Sequence, residues 1–214
     1  MAKILITRPN HDEATNYLYF WTSSVIKEIT KKGITIYALP SKKAAQKNFV
    51  SYLKNNQGFI FFNGHGSKEV ITGQDNEILV DTTNASLLSK TKIVYARACQ
   101  AGKILGQCLV NAGTKAFIGY TNNFVFLRIK RFITHPLDDF LARLFLEPSN
   151  LVATTIVKGH SANEANNRSL NAMRKNLQFT LSSMASAEEQ AAASYLWSNI
   201  NCQVIYGDVE TKIT

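Results

Sequence analysis

Short apolar, β-branched runs alternate along this chain with segments whose apolar residues recur at helical spacing, the pattern of an α/β protein. Residues 3–7 read as a first strand, ended by Arg8-Pro9-Asn10. Over residues 12–32, Leu18, Trp21, Val25, Ile26 and Ile29 mark one face of a helix that stops at Gly33, and residues 34–39 form the next strand. Pro40-Ser41 opens a second helix with Ala44, Ala45, Phe49, Val50 and Leu53 inward, and Gln57-Gly58 leads into the apolar run from Phe59. The resulting βαβαβ order predicts a parallel sheet, because parallel neighbours need crossover connections.

Further along, residues 69–80 read as a small hairpin around a polar turn, and residues 84–88 as a short helix returning the chain to an apolar run beginning at Lys92. Ile104, Leu105, Cys108 and Leu109 form an amphipathic face closed by Asn111-Ala112-Gly113, with Cys108 on the core side. Residues 115–120 are a strand, and residues 121–134 a long irregular connection without Asp or Glu. A helix is expected to start at Thr134 and Pro136, and a second helical pattern to run from Ser149 toward Lys175. Residues 178–185 read as a polar connection. Ser186 and Glu189 have the capping-box spacing for a last helix through Trp197, and residues 202–206 close the sheet.

Two of these strands stop at a reactive side chain. In Phe59-Ile60-Phe61-Phe62-Asn63-Gly64-His65-Gly66-Ser67 an apolar run gives way to glycines around a histidine; in Lys92-Ile93-Val94-Tyr95-Ala96-Arg97-Ala98-Cys99-Gln100-Ala101-Gly102 it ends in small residues around a cysteine. Side by side in a parallel sheet, both side chains emerge at the carboxyl edge, where open α/β sheets place their sites. A thiol and an imidazole there make a nucleophile and its base. Gly64 and Gly66 are expected to turn with positive φ and leave their N–H groups uncovered, while Ala98 and Gly102 keep bulk from the thiol.

Length and charge narrow the picture. The 214 residues, 45% hydrophobic, suit a single domain over 1–214, and no apolar stretch approaches the ~20 residues of a membrane span. The N-terminal stretch reaches Arg8 and Pro9 too soon for a signal peptide, so a cytoplasmic location is expected. Cys99, Cys108 and Cys202 make neither a disulfide framework nor a paired metal spacing. The net charge of +9 is scattered as pairs such as Lys31-Lys32 and Lys42-Lys43, with one denser group at Arg128, Lys130 and Arg131, so no specific nucleic-acid partner is expected. A zinc site would need two further ligands, and His11, His135 and His160 are not spaced along the chain to give them; no metal or other cofactor is expected.

The two motifs resemble the His-Gly and Ala-Cys motifs of the caspase-like cysteine peptidases, which include caspases, metacaspases, gingipains, clostripain, separase and bacterial CHAT proteins. The caspase form is Gln-Ala-Cys-(Arg/Gln/Gly)-Gly with the histidine about 50 residues upstream. Here Arg97 stands in place of Gln, one extra residue precedes Gly102 and the interval is shorter, a form similar to the bacterial gingipain and CHAT types. Val204-Ile205-Tyr206-Gly207-Asp208 resembles their terminal strand and turn. The resemblance implies a three-layer α/β fold with a mostly parallel central sheet flanked by helices. It also implies cysteine endopeptidase activity on a protein or peptide substrate, through a Cys99–His65 dyad and an acyl-enzyme. Gly66 and Cys99 would supply the oxyanion N–H groups, no third acidic residue would be needed, and residues 121–134 would line the substrate channel.

In these families the residue two before the cysteine lies at the floor of the pocket for the side chain preceding the cut. Here it is Arg97, which either meets a carboxylate of the protein, Asp12 or Asp81, or waits for one from the substrate, with Arg8 a second cation at the same edge. A pocket favouring Asp or Glu is the expectation. Two other readings remain: a glutamine-amidotransferase-like enzyme, in which the cysteine comes first in the chain, and a catalytically inactive caspase-like interaction module.

Overall fold

The computed structural model describes residues 3–55 and 57–213; Met1, Ala2, Asn56 and Thr214 lie outside them. In chain order its strands are β1 (Lys3–Arg8), β2 (Thr35–Pro40), β3 (Phe59–Asn63), β4 (Val70–Thr72), β5 (Ile78–Asp81), β6 (Ile93–Arg97), β7 (Ala116–Tyr120) and β8 (Gln203–Gly207). Six of them form one sheet in the order β2-β1-β3-β6-β7-β8, while β4 and β5 pair as a separate hairpin. Neighbours from β2 to β7 are parallel and β8 runs antiparallel to β7. The chain leaves β1 toward β2, then crosses back over β1 to β3 and continues to β6 and β7. The direction of winding therefore reverses between β1 and β3.

Strand residues alternate between two helical layers, as the two-residue period of a strand requires. Ile4, Ile6, Phe59, Phe61, Ile93, Tyr95, Ala116 and Ile118 face α1 (Glu13–Trp21), α2 (Ser23–Lys31), α5 (Phe140–Val157) and α6 (Ala162–Thr180). Their neighbours Leu5, Ile60, Phe62, Val94, Ala96 and Phe117 face α3 (Gln46–Leu53), α4 (Leu105–Asn111) and the β4–β5 hairpin. Both faces are covered, which is why β3, β6 and β7 read as continuous apolar runs. A smaller cluster joins Leu141 and Phe145 to Ala192 and Leu196 of α7 (Ala187–Ala191) and α8 (Ala193–Cys202) and the turn between them. This is the three-layer arrangement that the resemblance implied.

Several helix limits differ from the pattern-based expectation. The single helix over 12–32 is two, separated at Thr22, whose hydroxyl donates to the Leu18 carbonyl at 2.6 Å; such back-bonding bends helices. The second helix begins only at Gln46, after a 3-10 turn over Ser41–Lys43. A 3-10 turn over Pro136–Asp138 likewise precedes α5, which starts where the Asp139 carboxylate accepts from the Leu141 and Ala142 N–H groups.

No break occurs at Ser149, because α5 continues through Pro148 to Val157. A proline there removes the N–H that would bond the Leu144 carbonyl. Asn176 of α6 fills the vacancy, donating Nδ2 to that carbonyl at 2.7 Å. By length and composition α5 resembles a membrane-crossing helix, but 67% of it is buried inside the fold. Residues 178–180, expected in a connection, still belong to α6. The Ser186–Glu189 capping box forms as expected, yet the helix it opens is divided at Ala192, whose N–H bonds the Glu189 carbonyl in a tighter turn.

Candidate active site

The register of β3 and β6 fixes the centre of the site. Their last paired residues are Asn63 and Arg97, and His65 and Cys99 each lie two residues beyond. Asn63 ties three strand tips together beneath them: its N–H donates to the Thr7 hydroxyl at 2.9 Å, its Nδ2 to the Thr7 carbonyl at 2.8 Å, and its Oδ1 accepts from Arg97. His65 and Cys99 both line a crevice of about 120 Å³ with Ala14, Leu18, Gly64, Arg97, Ala98, Phe124 and Phe126.

The glycines act differently from one another. Gly64 has φ +152°, and a Cβ there would lie 2.5 Å from the Thr72 carbonyl oxygen, so a side chain is excluded twice. Gly66 lacks the expected positive φ; it is needed because a Cβ would approach the Cys99 oxygen to 2.9 Å and the Val70 oxygen to 3.0 Å. Gly102 packs against Val204 and the Tyr120 backbone, where a Cβ would meet Val204 Cγ2 at 2.8 Å, so its smallness serves the sheet. Gln100, just after the cysteine, adopts φ +56°, a strained conformation for a residue with a side chain.

Asp12, named from sequence only as a possible partner of Arg97, stands instead beside His65. As N-cap of α1 it uses Oδ1 to accept from Thr15 N at 2.8 Å and Thr15 Oγ1 at 2.9 Å. Its Oδ2 lies 2.5 Å from His65 Nε2. Burial raises this carboxyl, but the Thr15 N–H, His65 and the Thr15 hydroxyl outweigh it and hold it down, at about 2. The contact suits an ionised Asp12 accepting from Nε2–H, the tautomer that would leave Nδ1 as the free ring nitrogen. A carboxylate thus stands beside the histidine, to which the sequence reading assigned no acidic residue. Asp12 alone in sequence signals only a helix start; its pairing with a histidine that far along the chain needs β1 beside β3.

Cys99 is partly buried, and burial pushes its thiol up. Its Sγ lies 3.8 Å from the Phe124 carbonyl oxygen, and among the described residues no hydrogen bond joins it to His65. The hairpin uses Ser67 N to Val70 O and Thr72 N to His65 O, so Gly66 is bracketed by these bonds. Among the described residues no backbone carbonyl takes the Gly66 or the Cys99 N–H.

Of the two arginines, Arg97 lines the crevice as expected but with its donors engaged, and Arg8 lies elsewhere. Arg97 is fully buried. Its Nε donates to Asn63 Oδ1 at 2.9 Å, its Nη1 to Ser149 Oγ at 3.0 Å and Asn150 Oδ1 at 2.8 Å, and its Nη2 to Asn63 Oδ1 at 2.6 Å and Thr22 Oγ1 at 2.8 Å. These contacts occupy all five guanidinium donors. None of the acceptors is a carboxylate, so neither Asp12 nor Asp81 pairs with it. Burial pushes the group down to about 10, which leaves it charged at neutral pH. Arg97 therefore ties α2, β3, β6 and α5 together and has no free donor for a substrate. Arg8 lies over the Tyr19 ring at 4.0 Å and donates to the Tyr19 carbonyl at 2.6 Å and to Ser23 Oγ at 3.1 Å, away from the crevice. Arg8 departs from the substrate-binding expectation in position, and Arg97, which keeps its place at the crevice, in having its donors taken by internal acceptors.

His11 also belongs to this place. Although adjacent to Asp12 in sequence, it stands with it against His65, the two imidazole centroids 5.8 Å apart. The expectation that the histidines cannot gather is corrected for this one. By contrast His160 pairs with Glu164 at 2.8 Å and His135 with the Thr134 hydroxyl at 2.9 Å, both local contacts.

The layering, the strand order and the paired strand tips define a caspase-like fold. The structure is similar to that of gingipain R (RgpB), an Arg-specific cysteine proteinase, with TM-score 0.63 and 13% identity over 98% of this chain and 46% of that one. It is similar also to the complex of the pro- and mature domains of Porphyromonas gingivalis RgpB, with TM-score 0.61 and 14% identity over 98% of this chain and 47% of that one. The chain thus spans about half the length of these solved structures. No protein-family model matches the sequence, and neither does any curated protein.

Proposed function

We propose that the protein is a cysteine endopeptidase acting on a protein or peptide substrate through Cys99 and His65. The observation that carries this reading is the equal advance of the two residues beyond the paired ends of β3 and β6, into one crevice. A caspase-like fold shared with a cysteine proteinase supports it at the level of architecture.

In this mechanism the Cys99 thiol gives its proton to Nδ1 of His65, through a water where the two do not touch, as Sγ attacks the scissile carbonyl, and a thioester forms as the C–N bond breaks. His65, its Nε2–H held by Asp12, delivers a proton from Nδ1 to the leaving amine, then takes one from the water that hydrolyses the thioester. Gly66 N–H and Cys99 N–H would face the oxyanion, each such donor being worth about a hundredfold to a thousandfold in rate. Asp12 positions the imidazole and fixes its tautomer. Among the described residues the crevice walls hold no carboxylate, and the donors of Arg97 in those walls are already taken. This supports an uncharged side chain beside Cys99, in place of either the acidic preference expected from sequence or the arginine preference of the gingipain.

The partly buried thiol, with its contact to Phe124 and not to His65, favours a second reading, an inactive interaction module of the same fold. A peptidyl chloromethyl ketone separates the two. Under the proposal it labels Cys99, labelling falls at least tenfold in His65→Ala, and neither Cys108→Ala nor Cys202→Ala reduces it. Labelling of Cys108 alone, or equal labelling with and without His65, defeats the peptidase reading.

A further inference from the structure

The winding of the sheet reverses between β1 and β3, and open α/β sheets bind ligands outside the carboxyl ends of strands at that point. Three metal-binding side chains meet there: His11 and Asp12 follow β1, and His65 follows β3. One ligand atom from each lies within 4.8 Å of the other two. His65 Nε2 is 2.5 Å and His11 Nε2 3.7 Å from the same oxygen, Asp12 Oδ2. Ligand atoms around a tetrahedral zinc with bonds of about 2.0–2.1 Å lie about 3.3 Å apart, so side-chain rotations of roughly an ångström complete the set.

A second observation points to a ligand. Both ring nitrogens of His11 are buried, and neither meets a hydrogen-bond partner among the described residues. An imidazole carries one donor and one acceptor even when neutral, and leaving both unmet inside a protein is costly. The backbone around it is tightly held: His11 N donates to Thr15 Oγ1 at 3.0 Å, and Asn10 N to Gln74 Oε1 at 2.9 Å. The loop that carries the ring is thus held beside two metal-ligating groups, while the ring nitrogens make no hydrogen bond among the described residues.

We propose that His11, Asp12 and His65 form a binding site for a single Zn²⁺ ion. Two imidazoles and one carboxylate are a three-residue zinc set that leaves the fourth position open to water. Occupation takes the His65 Nε2 and the Asp12 Oδ2 that otherwise bond each other. In a peptidase of the kind proposed above, on which this consequence rests, the bound ion withdraws the imidazole from proton transfer and inhibits turnover reversibly. The binding claim itself does not rest on that reading.

Titration of the metal-stripped full chain with Zn²⁺, followed by calorimetry and by the visible spectrum of a Co²⁺ replacement, tests it without substrate. One ion per chain is expected, with affinity at least a hundredfold weaker in His11→Ala and in Asp12→Asn, which keeps the helix cap. Cys99→Ala should bind as the parent does. Failure of the parent to bind, undiminished binding by a His11→Ala chain of native circular dichroism, or loss of binding on changing Cys99 would each overturn the site. With a peptide substrate, inhibition by Zn²⁺ that a chelator reverses and that His11→Ala shifts to at least hundredfold higher zinc is the expected result. Tight zinc binding by a chain that never turns over peptide upholds the site and overturns the peptidase reading alone.

Discussion

Replacing Arg97 by methionine separates a structural arginine from a substrate-reading one. Methionine keeps much of the stem's volume, so the packing against Phe61, whose ring centroid lies 5.0 Å from the guanidinium carbon, is largely retained. What disappears are the donors to Asn63, Thr22, Ser149 and Asn150. Asn63 Oδ1 keeps only a long, 3.2 Å share of the Thr22 hydroxyl proton, whose nearer acceptor is the Leu18 carbonyl, and Asn150 Oδ1 and one face of Ser149 Oγ lose their donor in a buried place. An orphaned buried acceptor costs about 1–3 kcal/mol, and removing an unpaired buried charge gives part of that back. A net loss of about 3 kcal/mol follows, a large share of the roughly 5–15 kcal/mol that holds a domain together. With a urea slope of about 2 kcal/mol/M the unfolding midpoint should fall by about 1.5 M. Arg97→Lys, with three donors for five acceptor contacts, should fall between. A midpoint unchanged within about 0.3 M, together with an altered preference between acidic and neutral peptides, would refute the reasoning and restore Arg97 to the substrate pocket.

Gly64→Ala should destabilise by about 1–3 kcal/mol and cut peptide turnover at least tenfold, since it forces a side chain into positive φ against the Thr72 carbonyl; native-like activity would count against this backbone path. Asn176→Ala removes the donor that replaces the one missing at Pro148 and should lower Tm by about 2–4 °C, for a loss near 1 kcal/mol; an unchanged Tm would show that the Leu144 carbonyl is satisfied otherwise. Because burial raises the Cys99 thiol, the native chain holds that proton more tightly than the unfolded one. Alkylation by iodoacetamide should therefore be slow at pH 7 and still climbing at pH 9, and the associated stability, present at low pH, is lost as pH rises through the raised value. A rate plateau below pH 8 would instead mean a thiolate paired with imidazolium.

The centre of the sheet was readable because β3, β6 and β7 are buried on both faces and stand out as apolar runs; even the half-buried β8 was legible from residues 202–206. Helix ends were less so, since the residues that set them act through partners. Pro148 looked like a boundary because the asparagine that compensates for it is on another helix, and Thr22 looked like any polar residue of an amphipathic segment. His65 and Cys99 were legible as residues at strand ends, but the contacts that surround them were not. Arg97 was seen as a charge near a thiol. Its surroundings come from separate, individually ordinary polar residues, Asn63, Thr22, Ser149 and Asn150, and only the inward position of polar side chains on two helices hinted at them. Asp12 and His11 carried the signal of a helix start and a short loop, and nothing local linked them to His65.

The strands that present His65 and Cys99 are central, with every residue of β3 and β6 buried, whereas Asp12 and His11 come from the connection after β1, held by Thr15 and Gln74. The two halves of the site therefore belong to different levels of local opening. Amides of β3 and β6 should exchange with deuterium only through whole-molecule unfolding, while those of residues 10–15 should exchange through a shallower event that detaches the carboxylate from the imidazole and leaves the strand tips in place. Mild heating should then produce a population with thiol and imidazole still at neighbouring strand tips but the imidazole unclamped, so the orientation of the ring fails before its proximity to the thiol does.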